Sequence, residues 1–175
     1  KYKDVVIVIS KRSNLDKDIK NKFNIIIVSN VRSFISDIAS IVYNNQIDEI
    51  IAVTGTNGKT SVADYTRQIW EQNKLKGSSI GTLGIIYNDQ KINSYLTTPQ
   101  SIDLQKALSK LSKNGCKKVI VEASSIGIDQ NRLDDVKFSG AVFTNLSHDH
   151  LDYHKNIENY FSTKKKLFTK ILKNN

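Results

Sequence analysis

The chain has 175 residues, with 26 Lys and Arg against 17 Asp and Glu, a formal charge of +9. Its single Cys (Cys116) excludes an internal disulfide framework and a Cys-rich zinc module. No apolar run nears the ~18 residues of a membrane span and no charged-then-apolar leader opens the chain, so a reducing cytoplasm is expected and no membrane is.

In chain order, 5–9 and 25–28 are β-branched runs separated by a polar, Lys-rich stretch, and both read as buried strands. Val31, Phe34, Ile35, Ile38 and Val42 follow helical spacing, which predicts an amphipathic helix over 31–44 ended by Asn44-Asn45-Gln46. A strand at 49–53 and a small-residue loop at 54–59 come next. A helix follows with Val62, Tyr65, Ile69 and Trp70 on one face and Gly77 as its stop. Strands are expected at 79–83 and 85–87, with Asn88-Asp89 as a hairpin turn. After Thr97-Thr98-Pro99, residues Leu104, Ala107, Leu108 and Leu111 mark a helix closed by Asn114-Gly115. Two more buried strands are predicted at 119–121 and 141–143, and a long helix from about Ile157.

Strands alternating with helices imply an α/β fold with a doubly wound, mainly parallel sheet. The first ~45 residues precede the loop and read as part of a preceding domain, giving a division at 1–46 and 47–175. A chain that opens on Lys1 and holds no Met reads as a fragment, or as a product whose start has been removed. The positive charge has two readings. Anionic partners are one; the other is codon bias, since 22 of the 26 basic residues are Lys in a chain also heavy in Ile and Asn. Nucleic-acid binders lean more on Arg, and nucleic acid is not an expected partner.

The run Thr54-Gly55-Thr56-Asn57-Gly58-Lys59-Thr60-Ser61 sits between a predicted strand and a predicted helix. Glycines let backbone N–H groups wrap a phosphate, and the helix N-terminus adds a favourable dipole. Lys59 would reach the β- and γ-phosphates of a nucleotide and the Thr60 hydroxyl would ligate Mg²⁺. The full Walker pattern wants Gly where this chain has Val53. An ordinary βα turn in which Gly-Lys-Thr arises by chance is the competing explanation.

All three His fall within 144–154, directly after a strand. Glu122 ends another strand and can reach the same sheet edge, where its carboxylate suits Mg²⁺. His148 and His150 could instead form a zinc pair, or merely face solvent; no third ligand has convincing spacing. In the last helix Ile157, Tyr160, Phe161, Leu167, Phe168, Ile171 and Leu172 form an apolar stripe with Lys164 in its middle, while Lys166, Lys170 and Lys173 lie opposite. A lysine on a core-facing stripe snorkels, is paired, or is chemically altered, for instance as a CO₂-derived carbamate able to ligate metal.

Together these motifs resemble the Mur ligase family of ATP-dependent amide-forming enzymes. The phosphate loop looks like that family's own variant, which accounts for the missing Walker glycine. The resemblance extends to Thr97-Thr98-Pro99, to Glu122-Ala123-Ser124-Ser125 with Gln130 and Arg132, to Thr144 through His154, and to Tyr160-x-x-x-Lys164-x-x-Leu167-Phe168. It implies the central ATP-binding domain of a ligase of peptidoglycan precursor synthesis. Such an enzyme adds a third amino acid, diaminopimelate or lysine, to UDP-N-acetylmuramoyl-L-alanyl-D-glutamate through an acyl phosphate. By the same resemblance, 54–61 would bind ATP, with Lys59, His150 and Lys164 catalytic. Thr60 and Glu122 would ligate one Mg²⁺, and His150 and carbamylated Lys164 a second. Ser29, Thr97, Thr98, Ser124, Gln130 and Arg132 would contact the UDP-muramoyl substrate. Residues 1–46 would be the end of a UDP-binding domain, a C-terminal amino-acid-binding domain would be absent, and a monomer is expected. Where the family commonly has His after the paired serines, this chain has Ile126. The rival implications are a folate-polyglutamate-type ligase and a non-catalytic nucleotide-binding remnant.

Overall fold

The computed structural model describes residues 5–11 and 13–172. Strand β1 (Val6–Ser10), helix α1 (Lys17–Lys22), strand β2 (Asn24–Val28) and helix α2 (Val31–Val42) form an N-terminal unit whose two strands pair in parallel. Neither strand is buried as its composition suggests: Val6, Ile26 and Ile27 are all exposed. A two-stranded sheet has too few neighbours to cover both faces, so β-branched composition here marks strand propensity rather than burial. Helix α2 starts on Asn30, whose side chain accepts from the N–H groups of Arg32 and Ser33. It lies against α4 (Ser101–Lys113), which joins the unit to the main body. The Lys-rich stretch between the strands contains the short α1, capped by Asp16, which no apolar periodicity announces.

The main body is a six-stranded sheet in the order β6-β5-β4-β7-β3-β8. Strands β3 (Glu49–Thr54), β4 (Gly77–Gly81), β7 (Lys118–Glu122) and β8 (Gly140–Phe143) are parallel, while β5 (Gly84–Tyr87) and β6 (Gln90–Ile92) add an antiparallel edge. The turn between β5 and β6 is Asn88-Asp89, both with positive φ, as a two-residue hairpin requires. Period-2 alternation divides the central strands between two cores. Ile50, Ala52, Val119 and Val121 face α4 and the C-terminal segment, whereas Ile51, Val53 and Ile120 face α3 (Lys59–Gln72). The result is a three-layer α/β/α domain.

Three details depart from the reading of the sequence. In α3 the buried positions are Ala63 and Trp70, seven residues apart on one stripe, and Tyr65 and Ile69 point to solvent. The helix stops at Asn73 rather than Gly77: Lys74 takes the left-handed conformation (φ 57°), and Leu75 N–H bonds the Trp70 carbonyl. Gly77 instead opens β4 where Trp70 lies against it; a Cβ there would come within 2.5 Å of the indole. The strand expected at 79–83 ends at Gly81. By contrast Asn114-Gly115 closes α4 as expected, with Gly115 at φ 82° and Cys116 N–H bonded to the Leu111 carbonyl. The tail continues α7 (Ile157–Lys166) into a π-helical turn over Leu167–Ile171. Lys166 and Lys170 sit on its outer face, paired with Asp129 and Asp134; Lys173 lies outside the described residues. Among the described residues no helix is long and apolar enough to cross a membrane.

Candidate active site

Four parallel strands end at one edge of the sheet, and the loops that leave them build the site. The loop from β3 to α3 carries Gly55 (φ 144°) and Gly58 (φ 84°), backbone states that a side chain disfavours. At Gly55 a Cβ would also fall 1.9 Å from the Thr144 hydroxyl oxygen. The segment after β8 clamps this loop. Thr144 donates its hydroxyl to the Asn57 carbonyl (2.6 Å), Asn145 accepts the Asn57 N–H (3.0 Å), and the Thr56 hydroxyl bridges to Ser147. The first bond of the α3 ladder runs from Val62 N–H to the Gly58 carbonyl, so the N–H groups of 58–61 precede the ladder at the positive end of the helix dipole.

Lys59 donates to the carbonyls of Gly55 (2.9 Å) and Thr56 (2.7 Å). Burial lowers its pKa, opposed by Glu122 and Asp149. The Thr60 hydroxyl donates to Glu122 Oε2 at 2.8 Å. Glu122 is only 1% exposed, and Thr82 holds it from the other side through its N–H (2.9 Å to Oε1) and its hydroxyl (3.3 Å to Oε2). A hydroxyl and a carboxylate converging in this way are hard oxygen donors of the kind Mg²⁺ takes alongside phosphate oxygens, so the residues fit the ion. Among the described residues no three His, Cys, Asp or Glu side chains gather as a metal site, so the His148–His150 pair meets no third ligand of these types.

A cleft of about 250 Å³ unites most of the sequence candidates: Thr56 through Ser61, Thr97, Glu122, Ser124 and His150, with Thr82 added. His150 enters it from a left-handed residue (φ 51°) at the start of α6 (Leu151–His154), a single turn hidden in what reads as a polar loop. Thr98 lies just behind. Its hydroxyl donates to the Glu122 carbonyl (2.7 Å) and contacts the Ser124 hydroxyl (2.9 Å), and Ser124 caps α5 (Ser125–Asp129). Gln130 and Arg132 do not line the cleft. The buried Arg132 guanidinium bonds the Thr98 carbonyl (2.7 Å) and takes both Nε and Nη2 to Gln130 Oε1, which fixes the Thr97–Thr98 turn from beneath. Ser29 also stays outside, exposed beyond β2, although its neighbour Asn30 bonds Asn131 (3.0 Å). Ile126 is the second residue of α5 and partly buried.

Lys164 is 1% exposed. Its ammonium approaches the phosphate loop from behind, donating to the Gly55 carbonyl at 2.9 Å and lying 4.5 Å over the Tyr160 ring. Burial, reinforced by the nearby Lys59 charge, lowers its pKa to about 7. The helical stripe thus delivers a poorly solvated amine to the loop. Tyr160, fully buried, bonds the Thr56 hydroxyl (3.3 Å) and packs on His154, whose ring meets the Ser125 hydroxyl at 2.9 Å.

Residues 53–175 match the Mur ligase middle domain. The chain belongs to the Mur ligase family. A relative named UDP-N-acetylmuramoyl-L-alanyl-D-glutamate–2,6-diaminopimelate ligase, from Rhizobium meliloti (strain 1021), is 43% identical over 145 residues, covering 83% of this chain and 30% of that protein. A solved structure bearing the same enzyme name superposes with a TM-score of 0.72 at 32% identity, over 83% of this chain and 30% of the other. E. coli FolC in complex with ADP superposes with a TM-score of 0.59 at 15% identity, over 77% of this chain and 38% of the other, a likeness of fold alone. This Mur ligase chain therefore spans about 30% of the length of the curated relative it matches. Gly81 and Thr82 are site residues that no motif marked, their only signal being their place at the end of β4 and just after it. The Thr144–His154 motif was legible, but not that Thr144–Ser147 clamp the loop.

Proposed function

We propose that the chain is the ATP-binding part of an enzyme that joins diaminopimelate to UDP-N-acetylmuramoyl-L-alanyl-D-glutamate. The observation that carries this reading is the single cleft in which Lys59, Thr60 and Glu122 stand beside Thr97 and Ser124. The relative's name supplies the amino acid, where the chain's own residues leave diaminopimelate and lysine equivalent. In this reading ATP provides the phosphoryl group that activates the substrate carboxylate, and Mg²⁺ offsets the charge on its phosphates. Lys59 and the N–H groups at the start of α3 bind and orient those phosphates. Thr60 and Glu122 hold the cation, and Thr97, Thr98 and Ser124 position the muramoyl substrate. Gln130 and Arg132 support that turn from beneath, and Ser29 contributes from the N-terminal unit. Residues 1–46 are proposed as the end of a UDP-binding domain and 47–175 as the central domain of a monomeric cytoplasmic enzyme.

Lys164 is proposed as the amine that captures CO₂, with His150 as its companion at a second Mg²⁺. Support comes from its burial and lowered pKa, because the neutral amine is the nucleophile. In the full-length protein, ADP release should require the UDP-muramoyl dipeptide and diaminopimelate, and Lys59→Ala should abolish it. ADP release with lysine in place of diaminopimelate, or near-normal turnover of Lys59→Ala, would overturn the respective assignment. Lys164→Ala should lose activity that short carboxylic acids partly restore.

A further inference from the structure

Thr82 belongs to no motif, yet it touches both halves of the cleft. Its N–H and hydroxyl hold the two oxygens of Glu122, and the same hydroxyl lies 3.0 Å from the hydroxyl of Thr97. A hydroxyl has one proton to give. If Thr82 gives it to Glu122, the Thr97 contact must run the other way, with Thr97 donating and Thr82 accepting. The hydroxyls then form a directed chain from Thr97 through Thr82 to Glu122, where the Thr60 hydroxyl arrives on the same Oε2. Gly81 makes this seat possible, since a Cβ there would stand 2.0 Å from Glu122 Oε1.

Resting on the ligase reading above, we propose that Thr82 is a positioning residue coupling the metal-binding side of the cleft to the side that receives the acyl substrate. Glu122, held by its cation, keeps accepting from the Thr82 hydroxyl, and Thr82 in turn takes the Thr97 proton, so the Thr97 oxygen faces the substrate as an acceptor for one of its amide N–H groups. The coupling is reciprocal, so occupancy of either side favours the other.

The test uses the full-length protein with Thr82→Val, Thr82→Ser, Thr97→Val and the Thr82→Val/Thr97→Val pair. Thr82→Val keeps shape and backbone N–H but loses the hydroxyl. The expected result is a rise of about five- to tenfold in both the half-saturating Mg²⁺ concentration and the KM for the UDP-muramoyl dipeptide, the size of one lost hydrogen bond. The KM for ATP should stay within about twofold, and Thr82→Ser should restore both values. Adding Thr97→Val to Thr82→Val should raise the dipeptide KM by less than about twofold, because the chain is already broken. Additive effects of the two valines, or an unchanged dipeptide KM in Thr82→Val, would overturn the proposal. Failure of the ligase reading has a different signature, wild-type protein that releases no ADP with the dipeptide and diaminopimelate. Calorimetric titration of Mg²⁺ into the ADP-saturated protein then still decides the role of Thr82: Mg²⁺ affinity weakened in Thr82→Val and restored in Thr82→Ser supports it, and affinity equal to wild type overturns it.

Discussion

Lys164→Met replaces a buried ammonium by an uncharged side chain of similar length, and its consequence can be worked from the structure. The Lys164 pKa falls from 10.5 to about 7 on folding. A lysine whose folded pKa lies below its unfolded value is the reverse of the usual paired lysine. Below pH 7 both states are protonated and the folded protein bears the full penalty of the buried charge. Between pH 7 and 10.5 the unfolded state binds a proton that the folded state does not, so stability climbs with pH. Each unit corresponds to about 1.4 kcal/mol, and integrating from pH 7 to 9.5 gives a gain of about 3 kcal/mol for the wild type that the Met variant lacks. Removing the ammonium does not orphan the Gly55 carbonyl, which Lys59 still reaches at 2.9 Å. The measurement is urea unfolding of both proteins across that range in buffers purged of CO₂, read as the difference between them, so that groups titrating in both cancel. The Met variant should be the relatively favoured one at pH 7 and lose about 3 kcal/mol of that standing by pH 9.5. Two curves that run parallel across the range would refute the view of Lys164 as a desolvated amine.

Gly81→Ala should destabilise the domain by about 3 kcal/mol and weaken Mg·ADP binding, because the new Cβ displaces a Glu122 carboxylate held by Thr60 and Thr82; unfolding and calorimetry equal to wild type would exclude that packing. Lys155 is exposed and sits at φ 72°, so Lys155→Gly should raise stability by about 1 kcal/mol, seen as a higher urea midpoint at constant m-value. Arg132→Met should cost about 2–3 kcal/mol, since it leaves the Thr98 carbonyl without its buried donor, and should raise the dipeptide KM more than the ATP KM in steady-state assays.

The parts of the site legible in the sequence are those whose chemistry needs contiguous residues. Gly58-Lys59-Thr60 between strand and helix could be read directly, and Glu122 could be read as a carboxylate at a strand end. Periodicity alone set Lys164 on a core-facing stripe, but its acceptor is a carbonyl 109 residues earlier in the chain, which no local pattern encodes. Gly81 and Thr82 were hidden for the same reason: their task is to shape and hold a side chain from a different strand. The burial expected for β1 and β2 failed because composition reports a residue's backbone preference, whereas burial depends on what is packed over the strand. In α3, Tyr65 and Ile69 passed for core because an apolar residue at helical spacing looks alike on either flank of the buried stripe.

Gly55 explains why the loop and the C-terminal helix must be considered together. Its carbonyl accepts from both Lys59 and Lys164, each at 2.9 Å, so two ammonium groups share one acceptor in a poorly solvated place. Such an arrangement is costly while both remain charged and both stay on that carbonyl. It is relieved when Lys164 is neutral, or when an anion draws Lys59 away from Gly55. Under the proposed function both reliefs are built into the reaction, since phosphates engage Lys59 and CO₂ converts Lys164 into an anion. The Gly55 conformation that permits the double acceptance also brings its Cα against Thr144, where no side chain fits. The glycine is thus set by its contact with the β8 clamp and by the two lysines it must receive, and phosphate wrapping is only one of its constraints.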